Sequence, residues 1–207
     1  MNIIVFGDSV HHGAWDLKNG GWVNLLKMHV EKNSGYEDEL YNLSIDGDDS
    51  RGLLKRIYQE IKPRLADRNV IILSIGTNDS YFFGDNEKRT NTSGSEYRRN
   101  INKIIHITKK YTDTVVFVGL EPQDDSRVQP VPWNPEISYS LKNIIRFNNL
   151  AKEVCKKEKV LFLDIMETLL KLDYKKLLAD GTHPNTKGHK IIFELVLNFL
   201  KEEKILK

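Results

Sequence analysis

The sequence predicts an α/β protein: a three-layer α/β/α sandwich with a five-stranded parallel sheet in the flavodoxin-like strand order 2-1-3-4-5. Short apolar runs alternate with stretches of helical period along the whole chain. Three of those runs are continuously apolar and rich in Val and Ile, as strands covered on both faces should be. Small polar clusters follow the runs, where a parallel sheet opens its carboxyl-end crevice.

The elements follow in order. Asn2 to Gly7 is the first strand, and Trp22, Leu25, Leu26 and His29 mark the helix behind it. Glu39 to Leu43 is the second strand, followed by Leu53, Leu54, Ile57 and Ile61 at helical spacing. Asn69 to Gly76 and Thr114 to Leu120 are the third and fourth strands, separated by the helical set Ile101, Ile104, Ile105 and Thr108. Ile144, Ile145, Phe147, Leu150 and Val154 define the next helix, and Val160 to Ile165 the fifth strand. Asn185 is placed as the N-cap of a closing amphipathic helix with Ile191, Ile192, Leu195 and Phe199 on one face. Residues 81–94 and 121–135 fit no element and leave strand ends on the crevice side, so they are expected to form rim or lid loops.

The chain of 207 residues suits one domain, expected to span 1–207. Lys and Arg number 31 against 29 for Asp and Glu, and the net charge of +2 is spread evenly, so no nucleic-acid surface is expected. The lone Cys155 lies in a helical run and reads as a small buried hydrophobe. A strand begins at Asn2 with no basic and cleavable apolar segment before it, which points to the cytoplasm. No apolar run is long enough to span a bilayer.

The polar clusters carry the chemistry. Gly7-Asp8-Ser9 ends the first strand, Ser44-Ile45-Asp46-Gly47 follows the second, and Gly76-Thr77-Asn78-Asp79 ends the third. Asp180-Gly181-Thr182-His183-Pro184 precedes the last helix. A serine hydroxyl is a weak nucleophile until a base takes its proton; Ser9 is the candidate nucleophile, His183 its base and Asp180 the carboxylate that orients the imidazole. Pro184 disfavours α conformation at His183, so the pair is expected on an extended turn. The Ser9 and Gly47 backbone N–H groups and the Asn78 amide would supply oxyanion donors. Asp8, His12 and Trp133 are candidate substrate contacts, with Trp15 also near the crevice mouth and Trp22 in the core. Phe82-Phe83 is either a lid patch or an anchor for its own loop. His11, His12, His29, His106 and His189 lack metal-ligand spacing; no metal or cofactor is expected.

These four blocks, in this order, resemble the GDSL esterase and lipase family, also called SGNH hydrolases. The resemblance runs from Asn2 to the last helix. It implies Ser9 as nucleophile, Gly47 and Asn78 in the oxyanion hole, and Asp180 with His183 completing a triad that cleaves small-molecule carboxylic esters. Short acyl or acetyl esters, on an alcohol or a carbohydrate, are expected. The chain departs from the family where His11-His12 follow the nucleophile in place of small or hydroxyl residues, and where Asp46, Asp48 and Asp49 make the second loop acidic.

Two other readings compete. Asp8, Asp46, Asp48, Asp49 and Asp79 at the strand ends could hold Mg²⁺ for phosphoryl transfer, which leaves Ser9, Asn78 and the Asp180/His183 pair without roles. The same fold could also bind a glycan or acyl group without turnover.

Overall fold

The computed structural model describes residues 1–84 and 86–206. Five parallel strands form the main sheet: β1 (Asn2–Phe6), β2 (Glu39–Asn42), β3 (Asn69–Leu73), β5 (Val115–Val118) and β7 (Leu161–Leu163). Their spatial order is β2-β1-β3-β5-β7, which is the predicted 2-1-3-4-5. Ile4 of β1 pairs with Tyr41 on one side and Ile71 on the other. The principal helices are α2 (Gly21–Asn33), α3 (Ser50–Ile61), α5 (Gly94–Thr108), α7 (Leu141–Glu158) and α9 (Thr186–Glu202). Among the described residues, no helix is long and apolar enough to cross a membrane.

Side chains alternate across a strand, so a run that is apolar at every position must be covered twice. Ile4, Phe6, Ile71, Leu73 and Phe117 point to one face, where Leu53, Ile57, Ile101, Ile104 and Phe147 of α3, α5 and α7 cover them. Ile3, Val5, Val70, Ile72 and Val116 point to the other, under Trp22, Leu26, Val196 and Leu200 of α2 and α9. Trp22 is a core residue as expected. Cys155 is buried in the first layer, and burial pushes its thiol up to about 12, so it is inert.

The strands end earlier than the apolar runs because their last residues turn to other partners. The Ile75 carbonyl accepts from the Tyr97 hydroxyl at 2.7 Å, and the Leu120 N–H donates to Asn148 Oδ1 at 2.9 Å. These departures lift the following residues out of the sheet at its carboxyl edge.

Short elements crown that edge: α1 (Ser9–His12), α4 (Thr77–Ser80), α6 (Asp125–Val128) and α8 (Ile165–Leu170). The 81–94 loop is tied to the segment that follows the 121–135 loop. Residues Phe82–Phe83 form β4 and Ile137–Ser138 form β6, an antiparallel clasp with Phe82 opposite Ser138. Phe82 is buried and Phe83 exposed, so the pair anchors its loop through the first ring and presents the second. Residue 85 of the 81–94 loop lies outside the described residues.

Candidate active site

Asp8 starts the site. It follows β1, and its Oδ1 accepts from the Val10 N–H at 3.1 Å, capping α1 and placing Ser9 in the first turn. First-turn amides have no acceptor within the helix, so the Ser9 N–H is available to a ligand oxygen.

At the other end of the chain, Asp180 organises a tight turn. Its Oδ1 accepts the backbone N–H groups of Thr182 at 2.9 Å and His183 at 2.8 Å, while Oδ2 accepts the His183 Nδ1–H at 2.7 Å. The Ala179 N–H donates to the His183 carbonyl, and Leu178 bridges Pro184, so the turn is extended at the histidine as the proline requires. Burial works against ionising Asp180, but the hydrogen bonds from the His183 ring and the backbone outweigh it and hold the carboxyl down to about 2. An ionised Asp180 fixes the proton on Nδ1 and leaves Nε2 as the acceptor. Nε2 lies 2.9 Å from Ser9 Oγ, across 174 residues of sequence, and the hydroxyl donates to it.

Two exposed indoles flank the imidazole. The Trp15 ring meets His183 edge-on at 6.0 Å and its Nε1–H donates to Asp180 Oδ2 at 2.9 Å. Trp133 lies 5.5 Å from the same ring at 43°, at the mouth as expected. Their exposures of 56% and 50% leave flat apolar surface open to solvent beside the imidazole.

The surroundings of Asn78 are assembled differently. Asn78, on α4, donates through Nδ2 to the Asp48 carbonyl at 2.9 Å and accepts at Oδ1 from the Tyr139 hydroxyl at 2.8 Å. A carbonyl only accepts, so Asp48 dictates which end of the amide is nitrogen and leaves one N–H free. Burial pushes the Tyr139 phenol up, which keeps it protonated as a donor. Asn91 Nδ2 adds a bond to the Asn78 carbonyl at 2.9 Å. Gly47 occupies the turn after β2 at φ +74°, a left-handed conformation that favours glycine, and a Cβ there would meet nothing within 4 Å. Backbone conformation, not crowding by protein, is the reason for this glycine.

The structure brings Ser9, Asp180, His183, Trp15 and Trp133 together, and places Asn78 in a network with the loop that contains Gly47. Asp8 is a correction. It is fully buried beneath Ser9, bonded to Val10 N and to His11 Nδ1 at 3.0 Å, and so faces the interior and not a substrate. His12 is exposed at the end of α1. Of the aspartates that a metal reading invokes, Asp48 pairs with Arg56, Asp49 caps α3 and pairs with Arg51, and Asp79 accepts from the Ser50 N–H and hydroxyl. Burial pushes Asp79 up to about 6 despite those bonds. Among the described residues, no group of three or more His, Cys, Asp or Glu is placed to hold a metal ion.

Tyr139, the Asp48 carbonyl, Asn91 and the Trp15 hydrogen bond were not foreseen from sequence. Trp15 had a signal, an indole close behind the nucleophile. Tyr139 had none, since its partner lies 61 residues away.

Fold and site together define an α/β protein with a serine, histidine and aspartate linked at the carboxyl edge of a parallel sheet. The sequence model of the GDSL-like lipase/acylhydrolase family matches residues 5–191, and the chain belongs to that family of hydrolases. A curated relative, the rice (Oryza sativa subsp. japonica) GDSL esterase/lipase WDL1, is 24% identical over 96% of this chain and 77% of its own. Among solved structures, the lipase/acylhydrolase from Enterococcus faecalis superposes with a TM-score of 0.76 at 22% identity, covering 98% of this chain and 96% of that one. A catalytic mutant of Axe2, an acetylxylan esterase from Geobacillus stearothermophilus, gives 0.71 at 18% identity, covering 97% and 93%. At these identities the two structures share the fold.

Proposed function

We propose that this protein hydrolyses carboxylic esters through an acyl-enzyme on Ser9. The hydrogen-bonded series Ser9 Oγ, His183 Nε2 and His183 Nδ1, Asp180 Oδ2, at 2.9 and 2.7 Å, carries the reading. As Ser9 attacks the ester carbon, its proton passes to Nε2 and the carbonyl oxygen becomes an oxyanion facing the Ser9 N–H, the Gly47 N–H and the free N–H of Asn78. The tetrahedral intermediate collapses, the alcohol leaves with the proton from His183, and Ser9 holds the acyl group. Water then attacks, giving its proton to His183; collapse releases the acid, and the proton returns to Ser9.

The preferred substrates are short acyl or acetyl esters, including acetylated carbohydrates. The exposed Trp15 and Trp133 faces beside His183 support this, because an indole offers a flat surface to a sugar ring. The acetylxylan esterase on the same fold adds support.

The test is Ser9→Ala together with a serine-directed organophosphorus reagent on the wild type. Activity should vanish in the folded variant, and one phosphonyl group should appear on Ser9. Near wild-type kcat, or a label elsewhere, overturns the assignment. A chain-length series of chromogenic esters run beside acetylated sugars and a thioester tests the substrate class; a preference for long acyl chains refutes it.

A further inference from the structure

An ionised carboxylate offers about four acceptor positions, and those of Asp180 are all taken. Oδ1 accepts the Thr182 and His183 backbone N–H groups, and Oδ2 accepts the His183 Nδ1–H at 2.7 Å and the Trp15 Nε1–H at 2.9 Å. The first three donors come with the turn that carries Asp180 and His183. The fourth arrives from 165 residues away, and among the described residues it is the one donor from outside that turn. Ester hydrolysis as described above uses the bond to the imidazole and leaves the indole N–H without a role. A ring that is 56% exposed could give this proton to water, yet it is aimed at the triad.

The backbone on either side of Trp15 is pinned. The Ala14 N–H donates to the Ser9 carbonyl at 3.0 Å, and the Asp16 N–H to the Gly13 carbonyl at 2.9 Å. His189 Nδ1 accepts the Trp22 N–H at 3.2 Å, so the ring proton sits on Nε2 and donates to the Ala14 carbonyl at 3.1 Å. Burial holds His189 below its ordinary value, which keeps the ring neutral and Nδ1 free to accept. Asp16 is buried and accepts at Oδ1 from the Thr186 hydroxyl at 2.8 Å, and Thr186 opens α9 just beyond the His183 turn. The neck of the loop admits no side chain: a Cβ on Gly13 would lie 2.3 Å from the Gly20 carbonyl oxygen. The indole therefore stands on a stem fastened both to Ser9 and to the segment after His183.

We propose that Trp15 is a positioning residue of the hydrolase, whose N–H fixes the Oδ2 edge of Asp180 while its exposed face takes the alcohol part of the ester. The proposal rests on the triad acting as set out above. Oδ2 has one lone pair on the imidazole and a second that faces the indole. With the indole in place the carboxylate is held on both oxygens and cannot swing away from the ring; without it, a mobile water takes the second lone pair. A substrate ring resting on the indole presses on a donor to the triad, so binding at the mouth and orientation of the base meet in one side chain.

The decisive experiment is a double-mutant cycle of Trp15→Phe and Asp180→Asn on para-nitrophenyl acetate, whose alcohol is itself a flat ring, with Ser9 of the wild type labelled in parallel. Phenylalanine keeps a flat face and loses the N–H, so Trp15→Phe should lower kcat roughly 3- to 10-fold and leave KM within about twofold. In Asp180→Asn the amide oxygen stays on the Thr182 and His183 N–H groups and the NH2 faces the indole, so the bond is already gone. Trp15→Phe should then cost nothing further in that background. The same fold-loss in both backgrounds marks a merely structural role and overturns the proposal, as does a rise in KM alone or no loss at all. Trp15→Leu, which gives up the flat face as well, should raise KM in addition to lowering kcat; an unmoved KM refutes the contact with the alcohol. Proton-exchange NMR of the wild type needs no variant to fold: the Trp15 indole N–H should exchange slowly although its ring is exposed, and fast exchange refutes the bond to Asp180. Ser9 labelled with an additive cycle removes this proposal alone; a label elsewhere removes the hydrolase assignment beneath it.

Discussion

The two halves of the proposed site are held by opposite strategies. On the base side, Asp180 and His183 are three residues apart, and one carboxylate organises both the turn and the ring. On the oxyanion side, Asn78 is set by Asp48, Asn91 and Tyr139, drawn from three separate segments. A local device tolerates change in its surroundings because its geometry is written into one turn. A long-range network is only as accurate as the packing that brings its members together.

The base side should break hardest. Asp180→Asn should lower kcat by up to roughly 10⁴-fold, since an amide no longer enforces the tautomer with the proton on Nδ1. A steady-state comparison on one short ester checks this, and a loss under tenfold would mean the backbone orients the ring unaided.

Asn78→Ala comes next, with kcat lower by roughly 10²- to 10³-fold, about 2.7–4 kcal/mol, and KM little changed. The amide meets charge that exists only once the oxyanion has formed. If KM alone rises, Asn78 binds substrate and the oxyanion assignment fails.

Tyr139→Phe sharpens the contrast, because it removes one hydrogen bond to Asn78 and leaves the ring packed. A fall in kcat of roughly 5- to 10-fold is expected, in line with about 1 kcal/mol for one such bond. Combined with Asn78→Ala it should cost nothing further, which a double-mutant cycle reads directly.

The smallest effect is on stability. Asp180 is held at about 2, below its ordinary value, so its contribution is complete above about pH 4 and disappears as pH falls toward 2. The difference in urea midpoint between wild type and Asp180→Asn should therefore be constant from pH 7 to 5 and shrink below pH 4. A difference that grew on acidification would reverse the sign and refute the assignment.

The same contrast explains what could be read from sequence. The buried strands are apolar at every position, so β1, β3 and β5 stand out, and their alternation with helices marks a parallel sheet. The blocks around Ser9, Asn78 and Asp180/His183 announce themselves because strand ends in a parallel sheet converge. Local devices were legible too, such as the Asn185 cap and the extended turn before Pro184. Tyr139 and the Asp48 carbonyl were not, because nothing in their own segments distinguishes a hydroxyl or a carbonyl that will meet Asn78. Asp8 was misread for a related reason: its neighbour Ser9 faces the crevice, and only the cap on Val10 shows that the carboxylate turns inward.

The β4–β6 clasp has a consequence for how such a protein can change. Asn78 lies just ahead of one of its strands and Tyr139 just after the other, so the clasp keeps the two ends of their hydrogen bond in register. Beyond it, Val131 N donates to the Ile137 carbonyl and Val131 bridges Asn134, which closes the base of a small tip that carries Trp133. Residues 132–133, between the bridged Val131 and Asn134, can thus be exchanged or lengthened as a cassette, altering the surface beside His183 while the clasp stays paired. On the proposed function, selectivity and turnover then sit on separable pieces of chain.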